Sequence, residues 1–121
     1  MTWTIKVNHD CPSLNLYTYA MSPFKQSRDK KMWWMLIRAG VGFLEVPRAT
    51  GRRKLTIERH ARKGLDPDNL LGGAKCCITD NLKKMGLLVD DNDKWVVLEG
   101  RNVPLLKSEI KSYTMIYLED I

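Results

Sequence analysis

Two groups of carboxylates bracket one stretch of this chain: Asp66-Pro67-Asp68-Asn69 and Asp90-Asp91-Asn92-Asp93. Asp66 precedes a proline, which pushes it out of the helical region, and Pro67 has its own φ fixed near −65°. The segment 66–68 is therefore expected to be extended, at a strand end, because proline does not continue an inner strand. In an extended chain residues i and i+2 point the same way, so Asp66 and Asp68 can aim at one point from backbones about 6.5 Å apart. Two like charges about 5 Å apart repel by roughly 3 kcal/mol at an effective dielectric of about 20. Three or four converging carboxylates would need a cation, or some would stay protonated. Hard oxygen donors with no His or Cys beside them favour magnesium or manganese over zinc. The same residues fit solvated turns equally well, since Asp, Asn and Pro are turn formers.

Two helices and several strands must position these groups. Ala74, Cys77, Ile78, Leu82 and Met85 make an apolar stripe for a helix that Gly86 ends with positive φ. Gly72-Gly73 disfavours helix just before it and allows close backbone approach. Leu87-Leu88-Val89 turns back into the core, residues 90–93 form a tight turn, and Trp95-Val96-Val97-Leu98 is a strand. Upstream, Trp3 to Val7 alternates as a half-buried strand does. Ser22-Pro23 reads as a helix start, N-cap then first helical residue. That helix is expected to reach about Ala39, with Gly40 as its stop and Phe24, Met32, Met35, Leu36 and Ala39 as its apolar stripe. Trp33 and Trp34 face different directions, at least one toward the sheet or a partner subunit. Val41 to Val46 fits a short strand or a helix extension. Arg52 to Lys63 reads as a strand with Leu55 and Ile57 inward, and Ile110 to Leu118 as a last strand suited to burial on both faces. The fold expected is α+β: a single domain over residues 1–121, with a mixed sheet of about four strands and two main helices.

The net charge is +6, unevenly spread. Residues 1–64 carry 13 Lys and Arg against four acids, a net of +9, and residues 65–121 carry 7 against 10, a net of −3. Such asymmetry suggests a polyanionic partner beside an acidic pocket. Candidate phosphate ligands are Lys25, Arg28, Lys30 and Lys31 on the first helix, and Arg52, Arg53, Lys54, Arg62 and Lys63 along the basic strand. Charge on that strand equally suits the blunting of an exposed sheet edge. Asn15 suits a phosphate hydrogen bond or a turn cap, and Tyr17 and Tyr19 suit base stacking or core packing. No stretch approaches 18 apolar residues, so no membrane span is expected. The start of the chain lacks a secretory signal pattern, and three Cys, two of them adjacent, argue against a disulfide framework and for a reducing cytoplasm.

At its acidic segment the chain resembles the RusA-like family of Holliday junction endonucleases. The family pattern is Asp-x-Asp-Asn-Leu, a Lys, an Asp-x-Leu on the following helix, a Gly and a closing Asp-Asp. The corresponding residues are Asp66-Pro67-Asp68-Asn69-Leu70, Lys75, Asp80-Asn81-Leu82, Gly86 and Asp90-Asp91. Pro12-Ser13-Leu14-Asn15 and the basic run from Lys25 to Trp34 carry a weaker likeness. The resemblance implies that Asp66, Asp68 and Asp91 hold magnesium, with Asp90 beside them as a further ligand or general base, and that Lys75 meets the scissile phosphate. It also implies a homodimer cutting a four-way DNA junction, in the cytoplasm of a bacterium or encoded by a phage.

One departure stands out. The family's Lys lies one helical turn before the helix Asp, whereas Lys75 to Asp80 is a step of five, about 140° of rotation on an α-helix. Either Lys75 lies in a distorted first turn, or one of the two is outside the site. The reading reached is a magnesium-dependent endonuclease for branched DNA. The alternative is a basic nucleic-acid-binding module without catalysis, whose Asp clusters are turns.

Overall fold

The computed structural model describes residues 2–11 and 23–121, apart from the side chains of residues 23–26, 67–69 and 76. The expectations for Asn15, Tyr17 and Tyr19, and for the side chains of Phe24, Lys25 and Asp68, lie outside the described residues. The basic segment forms the interior strand β2 (Arg53–His60). It pairs in parallel with β3 (Val96–Val103) and antiparallel with β4 (Tyr113–Asp120), whose far edge takes β1 (Thr2–Val7) antiparallel. The order is β1-β4-β2-β3. β2 is therefore no edge strand, and its charges do not blunt one.

A parallel pair needs a crossover, and a helix supplies it. It begins as α2 (Pro67–Ala74), passes through a π-helical turn (Lys75–Thr79) and ends as α3 (Asp80–Lys84). The other long helix, α1 (Pro23–Val41), lies against β1 and the π turn. The fold is α+β, with a four-stranded mixed sheet and two helical rods in a single small domain. Among the described residues no helix is long and apolar enough to cross a membrane.

The core follows from period-2 alternation on one sheet face. Ile5 and Val7, Leu55 and Ile57, and Ile116 and Leu118 are buried and aligned by register, Ile116 lying beside both Ile5 and Ile57. Against them pack Trp33 and Ile37 of α1, and Leu70, Ala74, Cys77, Ile78 and Leu82 of the crossover helix. The opposite face carries polar contacts: the Tyr117 hydroxyl donates to Glu58 at 2.8 Å, and His60 stacks on Tyr113 at 4.3 Å. β4 is thus buried on its helix side and only half-buried on the other, not on both faces.

On α1 the buried face is Trp33 and Ile37, with Leu36 at its flank, while Met32, Met35 and Ala39 lie outside. Gly40 sets this rotation. A Cβ there would meet the Lys6 carbonyl oxygen at 2.5 Å and Ile5 Cγ2 at 2.9 Å, so α1 and β1 touch backbone to backbone. Gly40 therefore lies within the helix, which stops at Gly42 with φ +52°. Val41 ends the helix, and no strand forms over residues 41–46. Gly40→Ala should destabilise the fold by about 1–3 kcal/mol in urea melts, although alanine is the better helix former by about 1 kcal/mol. A variant as stable as the parent would mean the contact is soft.

The acidic segment also differs from expectation. Pro67 is the first helical residue and the Asp66 carbonyl accepts the Leu70 N–H at 3.0 Å, so Asp66 takes the N-cap position. The segment 66–68 is not extended, because proline at the first helical position loses only an N–H that the helix cannot use. Gly72 and Gly73 are helical as well. Packing outweighs their poor propensity: a Cβ on Gly100 of β3 would meet Leu71 Cδ2 at 2.9 Å and Leu70 Cδ2 at 3.0 Å. The helix end is as expected. Gly86 has φ +79°, its N–H donates to the Lys83 carbonyl, and the Leu87 N–H donates to that of Leu82. These two bonds form a Schellman closure, with Leu82 and Leu87 both buried.

Candidate functional site

The crossover helix and the first half of β3 enclose a groove of about 270 Å³. Its apolar walls are Leu71 and Val96 to Leu98, and its polar lining is Arg52, Lys75, Thr79, Asp91 and Asp93. Lys75 comes from the π turn, Asp91 and Asp93 from the turn before β3, and Arg52 from the residue before β2. Lys75 and Asp91 thus line one groove.

The 90–93 turn explains how. The Asp90 carboxylate accepts the Asp91 N–H at 2.8 Å and Asn92 Oδ1 accepts the Lys94 N–H at 3.0 Å. The Asn92 carbonyl then accepts from Trp95 and Val96 as β3 begins. Alternate residues close the turn, leaving Asp91 and Asp93 on the groove. Asp90 also pairs with Lys83 at 3.1 Å. The Asp91 N–H, and then the Lys83 ammonium, hold its carboxyl below the usual carboxylate range, which makes Asp90 a weaker base than an ordinary aspartate.

The step of five between Lys75 and Asp80 spans the π turn (Lys75–Thr79). A turn closed by i→i+5 bonds takes one residue more than an α turn. Thr79, whose hydroxyl donates to the Lys75 carbonyl at 2.8 Å, shares the groove with Lys75. Asp80 does not line it and pairs with Lys30 at 3.4 Å and Lys84 at 3.7 Å. The distortion lies in mid-helix, because the helix starts eight residues before Lys75.

Asp66 is exposed and does not line the groove. It follows Leu65, whose backbone is bound at both N–H and carbonyl by Asn102 of β3. Asn102 and Val96, where the 90–93 turn delivers the chain, are six residues apart, about 20 Å of strand. Asp66 and Asp91 are thus anchored at opposite ends of β3.

The basic residues divide in two. Arg53 is 2 % exposed, on the core side of β2. Its guanidinium donates to Asp120 at 2.8 Å and to the Leu87 and Pro47 carbonyls at 2.9 Å, and lies 4.7 Å from the Trp3 ring. Closed off from solvent in this way, it is not available to a phosphate, a correction to its reading as a DNA ligand. Arg59 is likewise buried, forked onto Asp10 at 2.7 and 3.1 Å. Lys54 pairs with Glu99 at 3.3 Å. Arg28, Lys31, Arg52, Arg62 and Lys63 are exposed or partly so, and Lys30 is half-buried. Cys11 is buried, and burial first, then Asp10, pushes its thiol up to about 12, which suits packing and not nucleophilic attack.

Among the described residues the acidic donors in the groove are the carboxylates of Asp91 and Asp93, with no His or Cys beside them. That chemistry fits a hard divalent ion, and magnesium commonly takes one or two carboxylates and completes its shell with water and substrate phosphate. Among the described residues no group of three or more His, Cys, Asp or Glu is placed to hold a metal, so Asp91 and Asp93 are the described pair. Sequence reasoning passed over Asp93 as a site residue, although its i+2 spacing from Asp91 was there to be read. Compared with known proteins, the chain matches no family model and no curated sequence.

Proposed function

We propose that this chain is a magnesium- or manganese-dependent endonuclease that hydrolyses phosphodiester bonds in branched DNA, four-way junctions foremost. The observation that carries this reading is the meeting of Lys75, Asp91, Asp93 and Arg52 in one groove. Lys75 would stabilise negative charge growing on the phosphate, and Arg52 would hold a neighbouring phosphate by a forked pair of hydrogen bonds. Asp91 and Asp93 would hold the ion, with Asp68 contributing as the family pattern implies. When bound, the ion would orient and activate water and neutralise charge on the phosphate. The resemblance adds a homodimer and a bacterial or phage cytoplasm to the proposal.

The test is cleavage of a four-way junction, with linear duplex as control, in magnesium and in chelator. The expected result is cutting of the junction in metal alone. Lys75→Ala should slow it by about 10²–10³-fold with junction affinity little changed. Failure of the parent protein to cut any junction in magnesium or manganese would sink the reading.

A second reading is a nucleic-acid-binding module without catalysis. The N-cap position of Asp66 and the closure of the 90–93 turn by Asp90 and Asn92 favour it. It predicts salt-sensitive DNA binding with no cutting in any divalent metal.

A further inference from the structure

A second cleft lies between α1 and α3, away from the Lys75 groove. Two hollows meet in it at Trp34, which is half-buried and lines both. One, about 360 Å³, is bordered by Lys30, Lys31 and Lys84. The other, about 300 Å³, has Val41, Met85 and Leu87 as apolar walls and Arg38 at its side, the guanidinium 5.7 Å from the Trp34 ring. The walls are bolted together beneath, where the Asn81 amide donates to the Lys30 carbonyl at 2.9 Å and to that of Cys77 at 2.6 Å. Asp80 pairs with Lys30 and Lys84, two of the four described cations that line the cleft.

We infer that this cleft binds single-stranded DNA, with an unpaired base stacked on Trp34 beside the apolar hollow and the flanking phosphates on Lys31, Lys84 and Arg38. The chemistry selects this occupant. An aromatic face beside an apolar hollow suits a planar base, and the lysines that line the adjoining hollow suit its backbone. A base in duplex DNA is paired and stacked and does not reach such a face. The inference rests on the nucleic-acid part of the proposed function, independently of cleavage, and would place an unpaired strand beside a branch point.

The test is fluorescence anisotropy of labelled oligo(dT) in chelator, where no metal-dependent cutting occurs, with blunt duplex in parallel. Trp34→Phe should keep the affinity for oligo(dT). Trp34→Leu, which fills the space without a π face, should weaken it by on the order of tenfold and alter duplex affinity by no more than about twofold. The surface double variant Lys31→Ala/Lys84→Ala should lower the single-strand salt slope by about 1.4, roughly 0.7 per lost phosphate contact. It reports on the cleft even if Trp34→Leu folds poorly. Equal oligo(dT) affinity for Trp34→Leu and the parent would overturn the inference. So would equal losses on duplex, or displacement of oligo(dT) by polyglutamate at equal charge. If the parent binds duplex and junction but the cleft variants leave oligo(dT) binding untouched, this inference alone falls. If the parent binds no DNA of any form, the proposed function falls with it.

Discussion

Asp91→Asn should reduce junction cleavage in magnesium by about a thousandfold or more, because losing a ligand charge costs several kcal/mol of stabilisation at the phosphate. Junction binding in chelator should stay near the parent value, since a carboxylate repels the backbone and gives it no hold. Two companion variants separate site from scaffold. Asp90→Asn loses only the pair with Lys83 on an exposed turn, and exposed pairs contribute little, so cleavage should fall by no more than a few-fold. Asp66→Asn keeps an N-cap as good as aspartate, so the fold is retained. Full cleavage in Asp66→Asn would confine that residue to capping. Its loss with the fold retained would overturn the placement of Asp66 at the far end of β3 from the ion. Single-turnover rates on a labelled junction read all three, and an Asp91→Asn protein cutting at the parent rate would remove the metal assignment.

The second large effect falls on stability. Arg53→Met keeps much of the side-chain volume but removes every donor that the Leu87 and Pro47 carbonyls and Asp120 receive from the guanidinium. Leaving the Leu87 and Pro47 carbonyls without their donor costs about 1–3 kcal/mol each, while Asp120, more than half exposed, returns to water; the loss is a large share of the roughly 5–15 kcal/mol that holds a domain together. The urea midpoint should drop accordingly. Arg53→Lys should rescue little, since one ammonium nitrogen cannot reach three acceptors that the guanidinium meets with three separate nitrogens. The salt slope of DNA binding should be unchanged in Arg53→Met but fall by about 1 in Arg52→Ala. An Arg53→Met protein as stable as the parent would show that the network is dispensable.

These two arginines show how far the sequence could be read. Adjacent and chemically identical, one points to the core and the other to the groove. The period of a strand says that they part, but which one goes inward depends on where Asp120 and the Leu87 carbonyl lie in three dimensions. The mixed sheet, both helices and the Gly86 closure were legible, because hydrophobic period and turn chemistry are local. The rotation of α1 was not, since Gly40 gives no sign in sequence of its contact with the Lys6 carbonyl. At Asp66-Pro67-Asp68 two local rules conflicted. Proline's demand for an extended predecessor points one way, and its fitness to start a helix behind an Asp cap, which prevails here, points the other.

The wide turn at Lys75–Thr79 has a consequence for how this chain tolerates change in length. A helix with one such turn uncouples residue count from the placement of its two halves. Leu70 and Leu71 keep their seat on Gly100, and Asn81 keeps its hold on the Lys30 carbonyl, while one surplus residue is stored between them. Deleting a residue there would let the rod close into an ordinary helix with both anchorages in phase, whereas a deletion on either side of the turn would twist one half off its seat by about 100°. The turn is the fold's slack, held beside the lysine that faces the groove.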